Sequence, residues 1–188
     1  VPFDSPTLRR NPILKNQQAY WGDTVFMNQR LLAEMEQIPE IAEILHHENF
    51  LKLRTYTHHG RITRKDHTLQ VAEIVFASSR RRGLDYISAT RGALLHDFFF
   101  YNWRFEGRKL HAFKHPSIAC KNAIEVFGIN AIEQDAILRH MWPLTITPPR
   151  YHESMLVCMA DKAAALNDYS SNVRFIKIPR IAFARKYN

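Results

Sequence analysis

From residue 63 onward the chain repeats one pattern: apolar positions three and four apart, cut by short polar or proline-bearing stretches. That spacing predicts amphipathic helices. TRKDHTLQVAEIVFASSRRR opens with Thr63 as an N-cap, and Asp66 three residues on completes a capping-box-like start. Leu69, Val71, Ala72, Val75 and Phe76 then recur at near-helical spacing, and Gly83 follows a basic last turn as C-cap. Asp85 begins the next helix, YISATRGALLHD, and a polar, aromatic loop covers 101–112. Pro116 is expected to start PSIACKNAIEVF, which Gly128 stops. NAIEQDAILRHM is helical and ends before Pro143, TITPPR is a loop, and YHESMLVCMADKAAALND is the last strong helix. Upstream, 1–20 holds three prolines and reads as irregular; Asp23–Met35 and Ile38–Leu45 read as helices, the second opening near Pro39. A short apolar stretch then leads to THHG, read as a turn. Period-two alternation is nearly absent, so the expected class is all-α.

Composition narrows the partners. A chain of 188 residues suffices for one domain with a sizeable core, and 12 Phe, 7 Tyr and 3 Trp give it much to bury. The reading is one globular unit: a lead-in over 1–57 packed on the core, a main domain over 58–168, and a basic C-terminal segment over 169–188. The six glycines are scattered and build no phosphate-cradling loop, which sets aside Rossmann and P-loop readings. A net charge of +8 favours anionic partners: nucleotides, small phosphate-containing esters, nucleic acid or an anionic membrane surface. Nucleic acid is not expected, because the one dense basic tract is Arg80-Arg81-Arg82. Cys120 and Cys158 lie far apart among apolar residues and read as small buried hydrophobes in a reducing, cytoplasmic compartment. No stretch approaches the roughly 18 apolar residues of a membrane span, and no membrane partner is expected. VPFDSP has no signal pattern, and without an initiator Met the N-terminus is expected to be trimmed or incomplete. The oligomeric state is not legible.

The chemistry lies in polar residues that interrupt apolar faces: His67, His96, Asp97, His140 and Asp161, with His115 at an expected helix start. With ten His and eight Asp, a His-Asp pair is expected about 0.4 times by chance, so LLHDFFFYNW alone decides nothing. The set together does. Adjacent helical residues diverge by about 100°, so His96 and Asp97 can hold one metal and bridge to a second. An unpaired Asp161 on an apolar helix face would be costly, and a cation supplies the partner. Imidazole mixed with carboxylate suits Fe, Mn, Co, Ni or Zn.

His67, His96-Asp97 and Asp161 resemble, in order and helical context, the H…HD…D motif of the HD-domain superfamily of metal-dependent phosphohydrolases. ALLHD and ADK are also typical of it, and the resemblance covers roughly residues 58–168. HHGRITRKDH, RGALLHDFFFYNW, HAFKHPSIACKNA and RHMWPLT resemble, more narrowly, a bacterial group of predicted HD-domain hydrolases. The resemblance implies a helical bundle around a metal centre. Its six-ligand version adds two histidines, for which His115 and His140 are the candidates. Asp97 would then bridge two ions, with His67, His96 and Asp161 completing one site and His115 and His140 the other. It implies hydrolysis of a phosphate ester or phosphoanhydride, nucleotide-type, by metal-activated water. The alternatives are a di-iron oxygenase and a non-catalytic nucleotide-binding domain.

Around that centre, Lys162 is the candidate cation for outer phosphates, with Arg61 and Arg64 at the start of the His67 helix. His111 and His59 are candidate acid, base or phosphate contacts. Trp142 reads either as a wall stacking on a nucleobase or as core packing, and Phe98, Phe99 and Phe100 as a shield for the metal and as bundle packing.

Overall fold

A computed structural model of the chain describes residues 28–59, 62–103 and 110–172. The fold is all-α. Helices α1 (Gln29–Glu36), α2 (Pro39–His46) and α3 (Glu48–Lys52) lead through a 3₁₀ turn, Leu53–Thr55, into a small antiparallel hairpin, β1 (Thr57–His59) and β2 (Ile62–Thr63). The bundle follows: α4 (Arg64–Arg82), α5 (Tyr86–Leu95), α6 (His111–Phe127), α7 (Ala131–Arg139) and α8 (His152–Asn172). α4 packs on α5 and α8, and α7 packs on α5, α6 and α8.

Local chemistry sets the ends of these helices. The Thr63 hydroxyl accepts from the Asp66 N–H (3.2 Å), and the Asp66 carboxylate accepts from the Thr63 N–H (3.3 Å), which closes the expected capping box. Gly83 terminates α4 at φ 65°, the left-handed region that a side chain would resist. A second box, Asn130 with Glu133, starts α7. Pro39 opens α2 as expected.

Two elements differ from expectation. α6 starts at His111, five residues ahead of Pro116, which lies inside the helix. A proline there forfeits its own N–H bond and crowds the carbonyl four residues earlier, yet the helix continues past it. His115 therefore stands one turn inside α6. THHG forms the first strand of the hairpin as far as His59. Of the expected Asp23–Met35 helix, residues 23–27 lie outside the described residues, as do the irregular stretch 1–20 and most of the basic C-terminal segment.

One core runs through the molecule. Leu32 and Met35 of α1 and Ile41, Ile44 and Leu45 of α2 join Leu69, Val75, Phe76, Ala93, Leu94, Ala123, Ile137 and Val157 in a single buried cluster. α5 and α7 cross closely at Gly92, where a Cβ on the glycine would lie 2.9 Å from the Ala136 Cβ. Arg91, buried beside that crossing, donates to Glu133 (2.8 Å) and to the carbonyl of Glu40, tying α2 and α7 to α5. Among the described residues no helix is long and apolar enough to cross a membrane.

Candidate metal centre

Five helices and one strand deliver their ionisable side chains to one buried locus. His67 comes from the second turn of α4, His96 caps the end of α5, and Asp97 follows it. His115 comes from α6, His140 caps the end of α7, Asp161 lies midway along α8, and His58 reaches in from β1. His67, His96 and His140 are essentially solvent-free, and Asp97 and His115 are buried.

The ring nitrogens are committed in one sense. His96 Nδ1 lies 2.7 Å from the Ala93 carbonyl, His140 Nδ1 2.7 Å from the Ile137 carbonyl, and His115 Nδ1 3.1 Å from the His111 carbonyl. A carbonyl only accepts, so each Nδ1 carries the proton. In the neutral ring each Nε2 is then a bare lone pair. His115 Nε2 and His140 Nε2 nevertheless face one another at 2.9 Å. His96 Nε2 is buried with no hydrogen-bond partner. Lone pairs that face one another repel, and a cation among them, or a proton on one of the rings, would relieve that repulsion.

Asp97 divides its carboxylate between two sides. Oδ1 lies 3.2 Å from His115 Nε2 and 3.8 Å from His140 Nε2, while Oδ2 lies 4.0 Å from His96 Nε2 and 3.5 Å from His58 Nδ1. Asp161 Oδ1 stands 3.0 Å from His67 Nε2 and 3.6 Å from His96 Nε2. Two sets of ligand atoms result, His67–His96–Asp161 and Asp97–His115–His140, each gathered within 4.8 Å. His58, His67 and Asp97 are equally close, but the His58 and His67 rings are stacked, 3.9 Å apart and 19° from parallel. An ion bound in the plane of one such ring lies out of the plane of the other, so these two do not share a cation.

Electrostatics agree. Burial alone would raise Asp97 and Asp161, yet both are held well below the usual carboxylate range, Asp97 chiefly by His96 and His115, and Asp161 by His67 and His96. Burial opposes charge on His96, but the Asp97 and Asp161 carboxylates outweigh it and raise its pKa. Burial, with His115 and His96 beside it, pushes His140 down to about 3 and keeps it neutral. The locus thus demands positive charge. The donors are nitrogen and oxygen only, the orphaned Nε2 of His96 is among them, and the residues could hold a metal ion.

The centre borders a cavity of about 220 Å³. Asp97, Asp161, His115, His140, His58 and His111 give it a polar lining, and Phe99, Trp103 and Met141 an aromatic and apolar one.

No family model, curated protein or solved structure matches the chain.

Six expected ligands meet here; of the other expected site residues His111 borders the cavity, whereas Arg64, Lys162 and Trp142 do not. Arg64 is no anion contact: it is fully buried, donating to the carbonyls of Phe99 (2.6 Å) and Tyr101 (3.1 Å) with its guanidinium 3.5 Å over the Phe99 ring. Burial lowers its pKa to about 10. It braces the loop that follows Asp97, and Asn122 holds the Phe98 carbonyl of the same loop (2.9 Å). Lys162 does not border the cavity; its ammonium donates to the His140 carbonyl at 2.8 Å. Trp142 does not border it either, and its carbonyl accepts from Cys158 Sγ. His111 does border it, stacked between Trp103 (5.3 Å, 5°) and His115 (4.7 Å, 24°) and bonded through Nδ1 to the Tyr101 hydroxyl (3.1 Å). Arg61 and the His59 side chain lie outside the described residues. The aromatic run after Asp97 splits its duty: Phe98 packs against Phe100 and Phe127 in the core, and Phe99 faces the cavity.

Sequence reasoning missed His58 and Trp103. In THH, adjacent strand residues point to opposite faces, and nothing in the sequence says which one faces the helices. Trp103 sits in a loop, where periodicity carries no information.

Proposed function

We propose that the protein is a metal-dependent phosphohydrolase of the HD type, with a dinuclear centre bridged by Asp97. The observation that carries this reading is the convergence of three Nδ1-protonated histidines, lone pairs inward, on the two separated oxygens of one aspartate. His67, His96, Asp161 and Asp97 Oδ2 would hold one ion; His115, His140 and Asp97 Oδ1 the other. Fe, Mn, Co, Ni or Zn suits this donor set. Bound ions supply positive charge to phosphoryl oxygens and activate water at neutral pH.

The remaining work belongs to the chain. The backbone carbonyls behind His96, His115 and His140 fix each ring's tautomer and direction. Arg64 and Asn122 hold the Asp97 loop in place. His58 and His111 line the cavity and are the side chains offered to a phosphoryl group bound there. Phe99, Trp103 and Met141 give the cavity its apolar lining. The cavity lies below the roughly 300 Å³ of a drug-sized pocket, so it suits a terminal phosphate and little more. The substrate is thus a phosphate ester or anhydride, nucleotide-type, whose bulk stays outside. Two buried cysteine thiols suit a reducing, cytoplasmic setting.

The test pairs metal analysis with a panel of phosphate esters and nucleotides on protein reconstituted with Mn(II). Release of phosphate is expected, and Asp97→Ala should lose metal and turnover together. Turnover retained in Asp97→Ala would sink the assignment. Oxygen consumption without phosphate release would favour a di-iron oxygenase, and tight nucleotide binding without either would favour a binding domain.

A further inference from the structure

We propose that Lys162 is a positioning residue for His140, holding it from behind and so setting the cation affinity of the Asp97–His115–His140 group. The inference rests on the metal reading above. α7 ends at Arg139, and His140 is its C-cap. The last carbonyls of a helix have no N–H partner of their own, and their dipoles favour a cation. Lys162 supplies both needs at once, with Nζ 2.8 Å from the His140 carbonyl. The same ammonium is anchored on its own helix, 3.3 Å from the Cys158 carbonyl and 3.3 Å from Cys158 Sγ. An ammonium has three N–H donors, and three acceptors meet it here.

His140 is thereby fixed at two points: its carbonyl by Lys162 and its ring by the Nδ1 bond to Ile137. A ligand so held cannot swing its Nε2 away from His115. The neighbouring Asp161 faces the other group, 3.0 Å from His67 Nε2. Adjacent helical residues diverge by about 100°, so one turn of α8 addresses both halves of the centre. Lys162 does not border the cavity, which separates this role from contact with substrate.

The experiment is a Co(II) titration of metal-free protein, followed by calorimetry and by the d–d spectrum, on wild type, Lys162→Met, Lys162→Arg and His115→Ala. His115→Ala identifies the binding stage that belongs to the Asp97–His115–His140 group. Lys162→Met keeps the apolar stem but removes donors and charge, and should weaken that same stage about 10- to 100-fold, as loss of an outer partner typically does. The other stage should be unchanged, and Lys162→Arg should restore most of the loss. Equal weakening of both stages, or a fall only in the melting temperature of the metal-free protein, overturns the proposal. If Lys162→Met fails to fold, Lys162→Gln carries the comparison, with an intermediate loss confined to the same stage expected. Wild-type protein that takes up no Co(II) overturns the metal reading as well. Two intact stages in Lys162→Met overturn only the role of Lys162.

Discussion

Single side chains in this molecule are placed by what they bond to on their far side. His96, His115 and His140 each give their Nδ1 proton to a carbonyl three or four residues earlier, and only then does each Nε2 become a directed lone pair. Glu73 on α4 shows the opposite condition. One of its carboxylate oxygens is buried without a hydrogen-bond partner, and burial pushes its pKa up to about 7, against a smaller opposing pull from the Asn28 N–H. A carboxyl whose folded pKa exceeds its unfolded value binds its proton more tightly in the native state. Stability is therefore lost as pH rises from about 4.5 to about 7, and the loss persists above that. Glu73→Gln should remove the penalty, leaving the variant more stable than wild type at pH 8 by on the order of 2 kcal/mol, with the gap closing at pH 4.5. Urea denaturation at the two pH values measures it; a gap independent of pH would contradict the burial of this group.

At the scale of elements, close approach matters more than helix propensity. α5 and α7 meet at Gly92, and Glu133 on the facing helix also takes the buried Arg91 ion pair. A Cβ at residue 92 would press on the Ala136 Cβ, which is not a flexible tip, while meeting the Glu133 backbone at ordinary contact distance. Overpacking costs about 1–3 kcal/mol, while alanine returns about 1 kcal/mol of helix propensity. Gly92→Ala should therefore destabilise by about 1 kcal/mol, read as a lower urea midpoint with unchanged slope. A rise in the midpoint would mean that the helices can part without cost. α6 carries the complementary lesson: running through Pro116, it places His111 and His115 one turn apart on one face, where their rings stack.

At the scale of the whole molecule, the ligands come from α4, the end of α5, α6, α7 and α8, so a bound cation joins elements up to 94 residues apart in sequence. Anything that binds only the folded state stabilises it by mass action, about 2.7 kcal/mol at a hundredfold excess over Kd. For a chain of this size that is a rise of about 5–10 °C in Tm. Mn(II) or Co(II) should produce it in a thermal scan at fixed pH, and a chelator should abolish it. A Tm indifferent to both would mean that the centre takes no cation.

Much of this was written locally in the chain. Thr63–Asp66, Pro39, Gly83 and Gly128 mark helix ends through bonds and dihedrals that involve only near neighbours, so the all-α class and most boundaries follow from the sequence. His67, His96, Asp97, His115, His140 and Asp161 were legible as ligand candidates because each breaks an apolar face where an uncompensated polar group is costly. The partners of the long cationic side chains were not legible. Arg64 and Lys162 read as free charge near a phosphate, but packing turns one onto the carbonyls of the Asp97 loop and the other onto the end of α7. His58 and Trp103 lie in a short strand and a loop, where no period tells inward from outward. Patterning fixes which face of each helix is apolar. Only the packing of α4 to α8 against one another decides which lone pairs point at the same place, because that depends on contacts between residues far apart in the chain.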